Sequence, residues 1–531
     1  MSLKNNKKAD LLIYIFFILI FVTGISVYKD YGLTLDDEIY RKNGEFYYYY
    51  IIDFFSGKQL PELKSLIKTA PVLFELPLVF LSKLFHYDQT KQIYELSHIV
   101  NFIIFYVSLI FLYKLIYKKF KSKIYAAIGV LGLIISPRIF AESFYNSRDI
   151  FFLSLIIFNL YAAYNFLNNS NFKNLLYFSF TSALVVYAKV IGIVPPILFL
   201  FLYFLNNLKG SHINKKILQN IFIIIFLTFF FIYCMWPYLW TDPINNFLYS
   251  FKLMTKAQNE ILVLNYYLGD FYSSISTPWH YRIVWFLFTT PVFILFFAII
   301  GFILLSFHFS IGFLRIADDK TNPWRNNNEM FDFYLLLNLI FITFLASKFN
   351  TSVSGGWRHL YFLYPILIII SLIGLEYFLN LKFKKIYNFL ILILAVSNIL
   401  YISIWSYKFH PHQNVYFNLI SKKFAKKNFD LDYWGLSNIH VLRHILEKND
   451  FYPIKVSAIS FTSLYESVLL LNDNDKKKFI IEYNPNNADF IIDNYIRKIR
   501  KNYKVDNKTY TKYFEIIVDE IPINTVYKKN K

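Results

Sequence analysis

The sequence is short of charge. Only 17% of its 531 residues are Asp, Glu, Lys or Arg, where a soluble protein carries about 25%. It has a single cysteine, Cys234, which excludes an intrachain disulfide and a cysteine-based metal cluster. It has no internal repeat and no low-complexity linker. Hydrophobic residues make up 56% and aromatics 21%, and the mean hydropathy is +0.39. Many apolar runs reach the roughly 20 residues that cross a bilayer. These features describe an α-helical, multi-pass membrane protein. The formal net charge of +20 does not imply a nucleic-acid partner, because Lys and Arg flanking the apolar runs account for much of it. The abundance of Phe, Tyr, Ile, Lys and Asn fits AT-rich coding, which leans towards a bacterial inner (cytoplasmic) membrane.

Spans are expected near 11–28, 97–117, 124–141, 149–166, 174–188, 191–207, 219–239, 283–307, 332–348, 358–378 and 386–407, about eleven in all. Pro71 to Phe85 is shorter, carries Glu75, Pro71 and Pro77, and reads as an interfacial helix. The first span is long and no small-residue cleavage site follows it, so it reads as an anchor and not a signal peptide. With the N-terminus inside, alternation gathers Lys114, Lys118, Lys119, Lys121 and Lys123 on the inner side. Lys209, Lys215 and Lys216, and Lys382, Lys384 and Lys385, fall on that side too. The C-terminal tail is then outside. Residues 1–407 form the membrane body, with long outer loops at 29–96 and 240–282. Residues 408–531 change character and read as a small α/β domain. Its expected helix is Asn438 to Lys448; its expected strands are Ile454–Ile459, Phe479–Glu482, Phe490–Ile492 and Phe514–Val518.

The same alternation collects costly polar residues on the outer side. They are Asp36, Asp37 and Glu38 after the first span, Arg138, Glu142, Arg148 and Asp149 between spans 3 and 4, Lys189 between spans 5 and 6, and Arg358 and His359 entering span 10. A charge at membrane depth costs about 2.5–3.5 kcal/mol on insertion scales, so such residues are functional candidates. Carboxylates beside several cations suit a hydroxyl nucleophile and a phosphate leaving group. Each also has a structural reading. Arg358 and His359 fit snorkelling flanks. Arg148 and Asp149 fit an ion pair closing a turn, and Asp149 a helix cap. Lys189, before Gly192 and Pro195-Pro196, fits a helix break, and Asp36 to Glu38 fit a solvated helix start.

Asp37-Glu38-x-Tyr40 after the first span resembles the first-loop motif of GT-C membrane glycosyltransferases of the protein O-mannosyltransferase and aminoarabinose-transferase types. Ala70-Pro71-Val72-Leu73-Phe74 is similar to their proline-containing juxtamembrane segment, and Asn146-Ser147-Arg148-Asp149 to their second acidic site. Lys189-Val190-Ile191-Gly192 with Pro195, and Arg358-His359-Leu360-Tyr361 to Pro365, are similar to two further turns. His410 to Asn418 and Asp432 to Ser437 resemble a less characterised branch. The mannosyltransferase repeat domain is missing, so a protein acceptor does not carry over.

The resemblance implies a polyprenyl-phosphate-linked sugar as donor and inverting transfer to a lipid, glycan or protein hydroxyl on the outer face. It implies Asp37 as general base, with Glu38 positioning the acceptor or holding a helix end, and Asp36 or Glu38 as the alternative base. Lys189, Arg358, His359 and Arg138 would bind the lipid phosphate; Asp149, Arg148 and Tyr40 would contact sugar or acceptor. No metal is required, although Asp37, Asp149 and a histidine such as His280 offer ligands. Two other functions compete. A transporter or lipid flippase would favour two-half symmetry and midplane charges, which the sequence lacks. A non-catalytic assembly protein would use Asp432-Tyr433-Trp434-Gly435 and the basic C-terminus (Lys528, Lys529, Lys531) to recruit partners.

Overall fold

A computed structural model describes residues 2–61, 71–207, 215–256, 263–314, 322–348, 353–381, 385–496 and 505–530. Each of the eleven expected spans falls on helical structure, several of them broken into two helices, and not all of it makes spans. Among the described residues, seven are long and apolar enough to cross a membrane: Lys7–Val27, Thr90–Phe120, Asp149–Asn168, Lys215–Met235, Val292–Leu314, Asn327–Lys348 and Arg358–Asn380. Lys123–Ile134 and Pro137–Tyr145 together make an eighth, bent by 70°. The bend has a local cause: Pro137 opens the second helix and its missing N–H breaks the ladder. The expected span at 283–307 is likewise interrupted, at Thr290-Pro291, between helices Tyr281–Thr289 and Val292–Leu314. Phe172–Ala188 is 17 residues long, and Val190–Asn206 and Leu392–Lys408 are short apolar helices. Ala70, Lys209, Lys382, Lys384 and Lys531 lie outside the described residues.

The Asp149–Asn168 helix runs through the middle of the bundle, with most of its residues buried. Around it pack Thr90–Phe120, Phe172–Ala188 and the Arg358–Leu363 turn. Peripheral helices instead show apolar side chains outward, such as Phe222, Phe226 and Phe229 on Lys215–Met235, as a lipid-facing surface requires. Asp149 begins the central helix and Asn165 stands near its end, roughly 24 Å away at 1.5 Å per residue. Lysines gather at the Asn165 end: Lys118 bonds Asn165 at 2.5 Å and Lys119 pairs with Asp332 at 2.5 Å. The candidate acids and cations gather at the Asp149 end. The protein is an integral, multi-pass membrane protein.

Among its described residues the first loop holds two helices, Asp37–Phe55 and Glu75–Leu84, packed on each other. Tyr47 and Tyr50 bury against Val72, Tyr187, Trp236 and Tyr238, which seats the loop on the bundle. In the second long loop, strands β1 (Leu264–Tyr267) and β2 (Asp270–Ser273) form a hairpin that the sequence reading did not anticipate. Trp240 stacks on Phe54 and Phe55 as an edge aromatic.

The tail carries a five-stranded sheet. Strands β3 (Ile454–Ala458), β4 (Phe479–Ile481), β5 (Phe490–Asp493), β6 (Tyr510–Val518) and β7 (Ile521–Lys529) take the order β4-β3-β5-β7-β6. The first three pair in parallel, with Val456 opposite Phe490; β7 runs antiparallel to both neighbours. Helix Asn438–Lys448 packs Ile439, Leu442 and Ile445 against this sheet. The tail lies directly on the Asp149 end of the bundle. Asn418 donates to the carbonyls of Leu287 and Thr290 at 2.7 and 2.9 Å, and Thr90 Oγ1 donates to the Leu469 carbonyl at 3.0 Å.

Candidate active site

The centre of the site is Asp149, 2% exposed. Three chain breaks deliver its partners. Asn146 ends the Pro137–Tyr145 helix, and its Oδ1 accepts the N–H groups of Arg148 and Asp149 at 3.3 and 2.8 Å. The cap of the central helix is therefore Asn146, not Asp149, and the Asp149 carboxylate is free to turn inward. Lys189 leaves the Phe172–Ala188 helix in extended conformation, and the chain restarts as the Val190–Ile193 turn. Gly192 is required there: a Cβ would stand 2.0 Å from the Val185 carbonyl oxygen. Arg358 and His359 open the turn before Pro365.

These breaks converge. Lys189 Nζ pairs with Asp149 Oδ1, Arg358 Nη1 with Oδ2 at 3.0 Å, and His359 Nδ1 lies 3.7 Å from Oδ1. Asn146 Nδ2 donates to Asp149 Oδ2 at 3.1 Å and to Glu142 Oε2 at 2.6 Å, and Tyr361 donates to Glu142 Oε1 at 2.8 Å. Two cations thus share one carboxylate, which leaves one positive charge over in this group. The Lys189 and His359 side chains are 22% and 36% exposed, so the surplus faces open space. On its other side Arg358 stacks on Trp434 of the tail, 4.4 Å from the ring centre.

Arg148 does not pair with Asp149. Its guanidinium reaches back to the first loop, 3.3 Å from Glu75 Oε1 and 2.6 Å from the Pro71 carbonyl, and lies 4.0 Å over the Tyr40 ring. Tyr40, itself in the first loop, thus packs against Arg148. Arg138 lies apart from Lys189. Its Nε donates to the Tyr416 carbonyl at 3.1 Å, and its guanidinium is about 5 Å over both Trp285 and Phe417.

The three consecutive acids have three different surroundings. Glu38 is fully engaged, with Arg41 bidentate at 2.9 Å, Lys42 at 3.1 Å and the Tyr94 hydroxyl. Burial alone would raise its carboxyl; the hydrogen bonds from Arg41, Tyr94 and Lys42 outweigh that and hold it down at about 2. Asp37 accepts the Thr34 N–H at 2.7 Å, which closes the first turn of its helix. Burial pushes its carboxyl up to about 8 against that bond. Asp37 lines a narrow, partly open cleft with Tyr40, Glu75, Tyr94 and Ser147. Asp36 is the acid whose charge acts on Tyr40, Arg148 and Arg358.

Among the described residues no three His, Cys, Asp or Glu side chains gather to hold a metal ion. The set Asp37, Asp149 and His280 is corrected accordingly: His280 Nδ1 bonds the Tyr267 hydroxyl at 2.6 Å instead. Sequence reasoning passed over Asn146, Tyr361 and Trp434 as site residues. Asn two residues before a charged helix start was a legible signal for Asn146; nothing local marked Trp434.

Residues 71–236 match the family model described as dolichyl-phosphate-mannose-protein mannosyltransferase. That segment contains Arg138, Asp149 and Lys189. No curated protein matches the sequence closely enough to count as a relative. Among solved structures, ArnT from Cupriavidus metallidurans in the apo state is similar over 98% of both chains, with TM-score 0.50 and 10% identity. The same protein bound to undecaprenyl phosphate aligns over 97% of both chains, with TM-score 0.48 and 11% identity. The apo Archaeoglobus fulgidus oligosaccharyltransferase aligns with 78% of this chain, with TM-score 0.45 and 13% identity; the chain spans 56% of that protein's length. The chain thus shares the fold of ArnT, and its residues 71–236 are similar to the mannosyltransferase family model.

Proposed function

We propose that the protein transfers a sugar from a polyprenyl-phosphate donor to an acceptor hydroxyl, with inversion, at the membrane face that carries Asp149. The observation that carries this reading is the surplus positive charge where Lys189 and Arg358 share Asp149. A lipid phosphate seated beside Lys189 and His359 would be neutralised there as it leaves, and desolvated cations stabilise developing phosphate charge strongly. Asp149 is the positioning residue that holds both cations. The mannosyltransferase match over residues 71–236 and the fold shared with ArnT support the reaction type.

Asp37 is the general base in this proposal. Its Oδ2 is oriented by Thr34, and its elevated affinity for a proton, near the working pH, suits proton abstraction. Glu38, saturated by Arg41, Lys42 and Tyr94, fixes the helix that carries Asp37. The Asp36 charge acts on Tyr40, Arg148 and Arg358, and Tyr40 and Arg148 would contact sugar or acceptor. The N-terminus and the lysine-rich end would face the cytoplasm, and the site and tail the periplasmic side of the inner membrane.

The test is transfer by purified protein from a panel of radiolabelled polyprenyl-phosphate sugars into membrane lipid extract. Wild type should yield a labelled product, and Asp37→Asn, folded by thermal melt, should yield none. Equal transfer by both would move the base to Asp36; no transfer from any donor by folded wild type would overturn the reading.

A further inference from the structure

A surface helix of a water-soluble protein turns its apolar stripe to the core and its polar side to water. Helix Pro243–Lys256, in the second long loop, is built the other way round. Ile244, Leu248 and Phe251 fall at i, i+4 and i+7 and so make one stripe. That stripe points away from the protein, with the three residues 72%, 60% and 39% exposed. The inward side is polar. Ser250 is fully buried, and Asn246 donates to the Tyr238 carbonyl at 2.8 Å and to Thr241 Oγ1 at 3.1 Å. Polar groups thus hold this helix to the body while its apolar residues look outward.

Two observations identify what the stripe faces. First, it continues the outward surface of the Lys215–Met235 span. Phe229 of that span, itself exposed, meets Phe247 at 5.7 Å between ring centres, and Phe247 meets Phe251 at 6.5 Å. The span surface is one that lipid covers. Second, the junction between span and helix has the residues of a membrane–water interface. Trp240 Nε1 donates back to the Tyr233 carbonyl at 2.9 Å, and its ring lies against Phe54 and Phe55 at the end of the first-loop helix. Phe55 is itself exposed, and Lys252 stands exposed on the flank of the stripe.

We infer that helix Pro243–Lys256 is a lipid-binding surface that lies in the plane of the bilayer interface. Ile244, Leu248 and Phe251 enter the boundary between headgroups and acyl chains, and Lys252 reaches the headgroups, as its long stem permits. Lipid is favoured over a second copy of the chain because the stripe runs unbroken into a lipid-facing span. The helix also packs on the Val190–Ile193 turn that follows Lys189, so this lipid surface adjoins the candidate active site. The inference stands whether or not the protein transfers sugar.

The experiment is power-saturation EPR of full-length protein in lipid nanodiscs. In a Cys234→Ala background, which removes the single native thiol, a nitroxide is attached at Ile244→Cys, Leu248→Cys or Lys252→Cys, each checked by thermal melt. Oxygen concentrates among acyl chains, and nickel-EDDA stays in water. Labels at Ile244 and Leu248 should respond more to oxygen, and the label at Lys252 more to nickel-EDDA. The three positions are exposed, and either stripe position alone is decisive if the other variant does not fold. Nickel-EDDA access at the stripe equal to that at Lys252 would overturn the inference. So would exclusion of both reagents with dipolar broadening between labelled copies, the mark of a second copy covering the stripe.

Discussion

Asp36, Asp37 and Glu38 are chemically near-identical, and their surroundings divide the work. Asp37 holds its proton up to about 8, so in the proposed role transfer should rise with pH, with kcat/KM climbing through about 8 as the base is freed. Stability should move the other way. A carboxyl that binds its proton more tightly when folded favours the fold at low pH, and that contribution fades as pH rises towards about 8. A pH series of melts on wild type and Asp37→Asn checks both signs, because the variant should lose this slope. Glu38 has the opposite sign: its pairs stabilise above the ordinary carboxyl range and are lost only as pH falls towards about 2. Glu38→Gln should cost about 1.5–3 kcal/mol by denaturant titration, the worth of charge-assisted hydrogen bonds. Asp149→Asn is more severe. It leaves Lys189 and Arg358 facing each other without their shared anion, and breaking such a buried pair costs about 3–5 kcal/mol. A large drop in melting temperature together with lost transfer is the expected outcome.

At the scale of elements, the site is built from places where helices stop. The Asn146 cap, the extended Lys189 and the Arg358 turn each end or start a helix at the same level of the bundle. Backbone shape at these breaks therefore sets the distances among the charges. Gly192→Ala tests this without touching a charged group. The added carbon must push the Val185 carbonyl, 2.0 Å away, and so shift Lys189 three residues earlier. The expected result is a donor KM raised about tenfold or more, at about 1.4 kcal/mol per tenfold, with the acceptor KM little changed. An unchanged donor KM would remove Lys189 from phosphate binding.

At the scale of the whole molecule, the tail packs on the Asp149 end of the bundle. Trp434 covers Arg358, and Asp432 accepts the N–H groups of Leu436 and Ser437 to shape the loop that carries it. Trp434→Ala should cost about 0.5–2 kcal/mol for the lost cation–π contact. It should also weaken donor use, because Arg358 then gains freedom; melts and donor titrations check the two effects. A melt unchanged by this variant would mean the tail is held elsewhere.

Local signals in the sequence settled the membrane class, the helical segments and most tail strands, because apolar length and period are local properties that burial enforces. The polar residues were also legible as candidates, since an ionisable group at membrane depth demands a reason. The sequence could not say which charges meet. Arg148 adjoins Asp149 in the chain yet pairs with Glu75, while Asp149 pairs with Arg358, 209 residues away. Pairing depends on which way each helix end points, and that is decided by packing between distant segments. The same holds for Asn414 and Trp285, ordinary in sequence, which meet only where the tail packs on the body.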